Sequence, residues 1–64
     1  MLRINGEDKD VAGKLLSDYL REAGYSEQRI AVERNEAIVP KAEYGTVRLE
    51  DGDVIEIVSF VGGG

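Results

Sequence analysis

Three small groups of residues in this chain have types and spacings that could do chemistry. Glu50, Asp51, Asp53 and Glu56 place four carboxylates within seven positions. Such a cluster would bind calcium or do acid–base work. A calcium loop, however, needs alternating oxygen ligands over about twelve residues with a closing Glu, and this segment lacks that pattern. It reads as a solvated turn entering a strand, and as an acidic surface complementary to a basic protein. Ser17, Ser26, Thr46 and Ser59 offer hydroxyls, but the chain has no His to activate them, and a hydroxyl nucleophile without a base is inert. Gly6, Gly13 and Gly24 stand alone and match no phosphate-loop spacing. They read as turns and a helix cap.

The C-terminal stretch Val58-Ser59-Phe60-Val61-Gly62-Gly63-Gly64 is different in kind. Three of the chain's eight glycines are its last three residues, directly after its most apolar run. A segment without side chains can thread a channel too narrow for any other residue. Three extended residues reach about 10 Å, enough to carry a carboxylate off a globule into another protein's active site. The competing reading is a frayed terminus. Strand alternation adds a second feature. If Ile55 and Ile57 face a helix, then Val54, Glu56, Val58 and Phe60 face the other way. Val58 and Phe60 then form an exposed apolar pair beside the tail, unless Phe60 folds back over the sheet end.

The elements that must hold this tail fit one small domain. The chain has 64 residues, with 42% hydrophobic and 33% charged, the balance of a globular unit rather than a disordered one. A domain of this size has no room for a deep catalytic cavity. Absence of Cys excludes disulfides, thiolate nucleophiles, zinc–thiolate sites and persulfides on the chain itself. The net charge of −5 argues against nucleic acid, which needs cations to neutralise its phosphates. No apolar run approaches the roughly 20 residues that span a bilayer, so no membrane is implied and the expected location is the cytoplasm.

Leu2-Arg3-Ile4 alternates into Asn5-Gly6, a strong hairpin signal because both positions tolerate positive φ. The return strand is expected over Glu7–Val11, as a charged edge with Val11 touching the core. Leu16, Tyr19, Leu20 and Ala23 follow the spacing of one helix face. The helix is expected to start near Leu15 and to end at Gly24. Ile30–Arg34 reads as a strand, Asn35-Glu36 as a turn, and Ala37–Val39 as a short strand stopped by Pro40. Tyr44 anchors a connector. Val47 and Leu49 form a minor strand or a packed loop. Val54–Phe60, β-branched and apolar, is the expected central strand, and the first and last strands are expected to pair. The fold class is α+β: a mixed sheet of four to five strands on one main helix.

These residues resemble the sulfur carrier proteins of thiamine biosynthesis, a family within the ubiquitin-like β-grasp group. The matching pieces are Ile4-Asn5-Gly6, Gly13-Lys14-Leu15-Leu16, Tyr19-Leu20 and Ala31-Val32-Glu33-Arg34-Asn35. They continue with Ile38-Val39-Pro40, Asp51-Gly52-Asp53 and Ile55 through Gly64. The resemblance covers nearly the whole chain and implies a single β-grasp domain over residues 1–64, with its tail at 61–64. Two departures stand out: the second strand is short, and Leu15 occupies a place where the family usually has a Thr near the helix start.

The resemblance implies a co-substrate rather than an enzyme. An E1-like adenylyltransferase would use ATP and magnesium to adenylate the Gly64 carboxylate. A sulfur donor such as a cysteine desulfurase would supply sulfur for a thiocarboxylate, and thiazole synthase would receive it. No cofactor would be bound by the chain itself. Gly64 would carry the sulfur, Gly62 and Gly63 would allow threading, and Val58, Phe60 and Val61 would dock the partners. A molybdopterin synthase small subunit, a carrier for tRNA thiolation, a ubiquitin-like protein modifier and a plain β-grasp interaction module remain alternatives.

Overall fold

The computed structural model describes residues 1–60. Val61, Gly62, Gly63 and Gly64 lie outside the described residues, and so do the roles expected of them. Five strands, β1 (Leu2–Ile4), β2 (Glu7–Lys9), β3 (Ile30–Arg34), β4 (Ala37–Ile38) and β5 (Val54–Ser59), form one sheet in the order β2-β1-β5-β3-β4. β1 and β5 run parallel, and the other pairs are antiparallel. The helix α1 (Leu16–Glu22) follows the first hairpin, and short 3₁₀ turns lie at Glu27–Arg29 and Lys41–Glu43.

The sheet buries one face. In β3 and β5 burial alternates with period two, so that Ile30, Val32, Ile55 and Ile57 point into the core with Leu2 and Ile4 of β1. Leu16 and Leu20 of α1 meet them, and Val39, Tyr44 and Leu49 from the connectors close the cluster. The alternation is the expected one. Tyr44 is the expected anchor, only 1% exposed.

Both helix ends are secured by backbone rather than by side-chain caps. Leu15 at the N-cap makes no side-chain cap bond. Instead the Leu16 N–H donates to the Val47 carbonyl at 2.8 Å, and the Ser17 N–H to the Tyr44 carbonyl at 2.9 Å. The loop therefore satisfies donors that a Ser or Thr cap would otherwise take, which explains why Leu is tolerated there. At the other end, Gly24 adopts φ +87°. Its N–H reaches the Arg21 carbonyl, and the Tyr25 N–H reaches the Leu20 carbonyl, the two bonds of a Schellman motif.

Several expectations need correction. The second strand ends at Lys9, not Val11. Val11 packs against the core from outside the ladder, because the chain must leave the sheet to start the crossover. Ala23 is exposed, because the helix has already reached its C-cap there. β4 stops at Ile38 and β5 at Ser59. Val47 and Leu49 take the packed-loop alternative, with an isolated bridge between Leu15 and Arg48 and backbone bonds that tie Val47 to Leu16 and Leu49 to Gly13 and Lys14. The largest correction concerns Asp53. Expected in a solvated turn, it is 7% exposed.

Candidate functional site

β5 is the central strand of the sheet and leads directly to the tail. Its last turn of the ladder pairs Ile30 with Ser59, and the next residue, Phe60, donates its N–H to the Arg29 carbonyl at 2.9 Å. The described chain thus ends against a fixed point. Lys41 reinforces it from the side. Its ammonium donates to the carbonyls of Glu27 and Ile30, the latter at 2.9 Å, and stands 5.8 Å from the centroid of the Phe60 ring. That spacing permits a cation–π contact. Lys41 therefore ties the 3₁₀ turn before β3, the first residue of β3 and the root of the tail together.

Of the six residues singled out by sequence, the structure describes two. Val58 is 59% exposed and Phe60 46% exposed. Both present apolar surface at the tail root, as strand alternation predicts, and Phe60 does not fold back into the core. Val61, Gly62, Gly63 and Gly64 are among the residues not described.

Two structural devices at the site escaped the sequence reading. Asn5 serves the Asn5-Gly6 turn at φ 51°, but its side chain also crosses to β5. Its Oδ1 accepts from the Ile57 N–H at 2.7 Å, and its Nδ2 donates to the Ile57 carbonyl at 3.2 Å. The amide thus acts as an extra strand residue and extends the short parallel β1–β5 pairing toward the tail. The second device is a polar knot at the start of β5. The Asp53 carboxylate accepts from Arg34 Nε at 3.0 Å, from Asn35 Nδ2 at 3.1 Å and from the Glu50 N–H at 3.0 Å. Asn35 in turn accepts from the Val54 N–H at 2.9 Å. Arg34 also reaches the Arg48 carbonyl and Glu50. The knot binds the β3–β4 turn to the start of the strand that delivers the tail.

Little else on the described residues offers chemistry. No group of His, Cys, Asp or Glu among them could hold a metal ion, and none of their helices is long and apolar enough to cross a membrane. An open recess of about 250 Å³ lies beside Met1, Arg3 and Gly52–Val54. It sits at the start of β5, about 20 Å of strand from the tail root. The Met1 amine there hydrogen-bonds the Asp51 carboxylate at 2.7 Å, which holds the amine above its ordinary pKa.

Residues 2–64 match the ThiS family. The chain belongs to the ThiS family. It is 44% identical over 68 residues to the sulfur carrier protein ThiS of Bacillus subtilis, with 100% of both chains covered. It is also 45% identical over 64 residues to a thiazole synthase of Paramagnetospirillum magneticum, a match that takes in 98% of this chain. The chain spans 20% of the length of the thiazole synthases it matches. The crystal structure of the thiamine biosynthesis protein ThiS from Geobacter metallireducens superposes with a TM-score of 0.76 at 25% identity, covering 98% of this chain and 97% of that one. The fold is accordingly the ubiquitin-like β-grasp. The ThiS family resemblance also gives the polar knot a meaning, since Glu33-Arg34-Asn35 and Asp51-Gly52-Asp53, two pieces that carried it, meet in space through Asp53.

Proposed function

We propose that this chain is a sulfur carrier for thiazole formation in thiamine biosynthesis, and that its working group is the carboxylate of Gly64. The observation that supports this best is the ThiS family match over residues 2–64, which runs from the first strand through the terminal glycines. A carboxylate is a poor electrophile. In the proposed cycle an E1-like adenylyltransferase, with ATP and magnesium, lets a Gly64 oxygen attack the α-phosphorus. Pyrophosphate leaves and an acyl adenylate forms. A sulfur nucleophile, delivered by a donor such as a cysteine desulfurase, attacks the carbonyl carbon. The C–S bond forms and the C–O bond to AMP breaks. Sulfide gives the thiocarboxylate directly. A persulfide gives an acyl disulfide, whose S–S bond a second thiol cleaves, becoming oxidised to a disulfide as the thiocarboxylate is released. Thiazole synthase then takes the sulfur.

The chain's own part is to present and orient. With neither Cys nor His in its sequence, it has no thiol to hold sulfur elsewhere and no imidazole to catalyse. Gly62 and Gly63 pass through the partner's channel, and Val58, Phe60 and Val61 meet its surface. The partner reading draws support from the larger relatives, in which a segment like this chain lies within a protein named thiazole synthase.

The test is ATP–pyrophosphate exchange by the organism's own E1-like adenylyltransferase. The chain should support exchange, and deletion of Gly64 should abolish it. Exchange that persists without Gly64 would overturn the proposal. Higher-mass lysine conjugates in extracts would point instead to a protein modifier.

A further inference from the structure

The last backbone bond that holds the described chain to its sheet runs from the Phe60 N–H to the Arg29 carbonyl, at 2.9 Å. Arg29 ends the 3₁₀ turn Glu27–Arg29, which buries none of its residues and has no side-chain bond at its N-cap. A short turn without core contacts does little by itself to fix that carbonyl. Lys41 supplies the hold. Its ammonium donates to the carbonyls of Glu27 and Ile30, the latter at 2.9 Å, and so pins the chain on both sides of Arg29. The same Nζ stands 5.8 Å from the Phe60 ring centroid. Lys41 is in turn placed by the core, because its carbonyl accepts from the N–H of Tyr44, which is 1% exposed. Holding a long side chain in one geometry costs rotamer entropy. Here that ordering serves backbone acceptors. Among the described residues no carboxylate lies within 4.0 Å of Lys41, in a chain with 13 Asp and Glu.

We propose that Lys41 is a positioning residue for activation of the tail. It acts through Arg29 and Phe60, not on the reacting carboxylate. Lys41 fixes the Arg29 carbonyl, that carbonyl fixes Phe60, and Phe60 sets the direction in which the chain leaves the sheet. The proposal rests on the sulfur carrier reading and adds a residue to it. Gly64 lies four positions beyond Phe60. Threaded through a partner's channel, four extended residues span about 13 Å, so a tilt of about 10° at Phe60 moves the carboxylate by about 2 Å. Misplacement by about 1 Å can cost up to about 100-fold in rate. A root aimed at the channel therefore raises the share of docked complexes in which Gly64 reaches the nucleotide. Two of the three ammonium donors are already used on this chain's own carbonyls, which favours an internal role over direct contact with the partner.

Lys41→Met keeps the apolar stem and removes the charge and the donors, whereas Lys41→Arg keeps both. The two variants and the unmodified chain are compared by thermal unfolding, amide hydrogen exchange and adenylation kinetics with the organism's own E1-like adenylyltransferase. In Lys41→Met the Phe60 amide should exchange about tenfold faster, with the Ile57 amide unchanged. Its kcat should fall about tenfold with KM little changed, because the apolar surface at Val58 and Phe60 is still present. Lys41→Arg should restore both readouts. A Phe60 amide that exchanges no faster, or an unchanged kcat, would overturn the proposal and leave the carrier reading intact. A rise in KM whose size shrinks with added salt would overturn it in favour of direct contact between Lys41 and the partner. A loss of activity equal to the fraction unfolded at the assay temperature would overturn it in favour of a structural role. No adenylation of the unmodified chain would overturn the carrier reading, and this proposal with it.

Discussion

Asp53→Ala should be among the most destabilising single changes outside the hydrophobic core of this domain. Asp53 is 7% exposed and accepts three hydrogen bonds, from Arg34, Asn35 and the Glu50 backbone. Removing one partner of a buried ion pair costs about 3–5 kcal/mol, because the other charge stays behind without compensation. Arg34 is less sheltered, with its side chain 25% exposed, and it keeps Glu50 at 3.4 Å and the Arg48 carbonyl at 3.2 Å. The loss therefore falls at the low end, about 3 kcal/mol. A domain of this length has a total stability of about 5 kcal/mol, so the change removes more than half of it. In urea, with a slope near 1 kcal/mol per M, the midpoint should drop by about 3 M. Asp53→Asn keeps the shape and an acceptor oxygen and should cost only about 1 kcal/mol. In a double-mutant cycle with Arg34→Met, Asp53 should show a coupling of at least about 1 kcal/mol. A loss below about 0.5 kcal/mol for Asp53→Ala, the range of an ordinary surface substitution, would refute the reasoning.

Asn5→Ala should cost about 2 kcal/mol, from two lost bonds to Ile57 plus the strain of Ala at positive φ, and Asn5→Gly about 1 kcal/mol because only the bonds are lost; equal losses in urea titrations would contradict this. Tyr44 has its pKa raised above 10.0, chiefly by burial, with a hydrogen bond to the Val32 backbone acting the other way. The folded state therefore holds that proton more tightly than the unfolded chain. The resulting stability is fully present below about pH 10 and is lost as pH rises through the folded pKa. Tyr44→Phe should flatten the alkaline limb of a stability–pH profile, and an unchanged limb would rule Tyr44 out. Phe60→Ala should leave the fold intact and raise KM for adenylation by about tenfold through lost apolar contact; unchanged kinetics would remove Phe60 from the docking surface.

Much of this architecture was legible because local rules and global packing agree. Ile30-Ala31-Val32 and Ile55-Glu56-Ile57 alternate with period two, and each buries the expected residue. Asn35 and Glu36 adopt positive φ at the expected turn, at 52° and 72°. The exposed Val58 and Phe60 also follow from alternation. What remained hidden depends on distant partners. Nothing local separates Asp53 from Glu50, Asp51 and Glu56. Its burial follows from Arg34 and Asn35, which lie 19 and 18 residues earlier in the chain. Asn5 carries a turn signal that masks its bond to a strand 52 residues away. Lys41 carries no local signal, yet it reaches the carbonyls that frame the tail root. In each case one polar side chain closes a long-range backbone gap, a role with no periodic signature.

The central claim is that sulfur rides on the C-terminal carboxylate. The most direct measurement is the intact mass of the purified chain before and after incubation with the adenylyltransferase, ATP, magnesium and a sulfide source, with fragmentation to locate any change. A gain equal to one sulfur minus one oxygen, confined to Gly64 and lost again on addition of thiazole synthase and its substrates, is the predicted result. An unchanged mass, with an adenylyltransferase shown to be active on another carrier, would contradict the account.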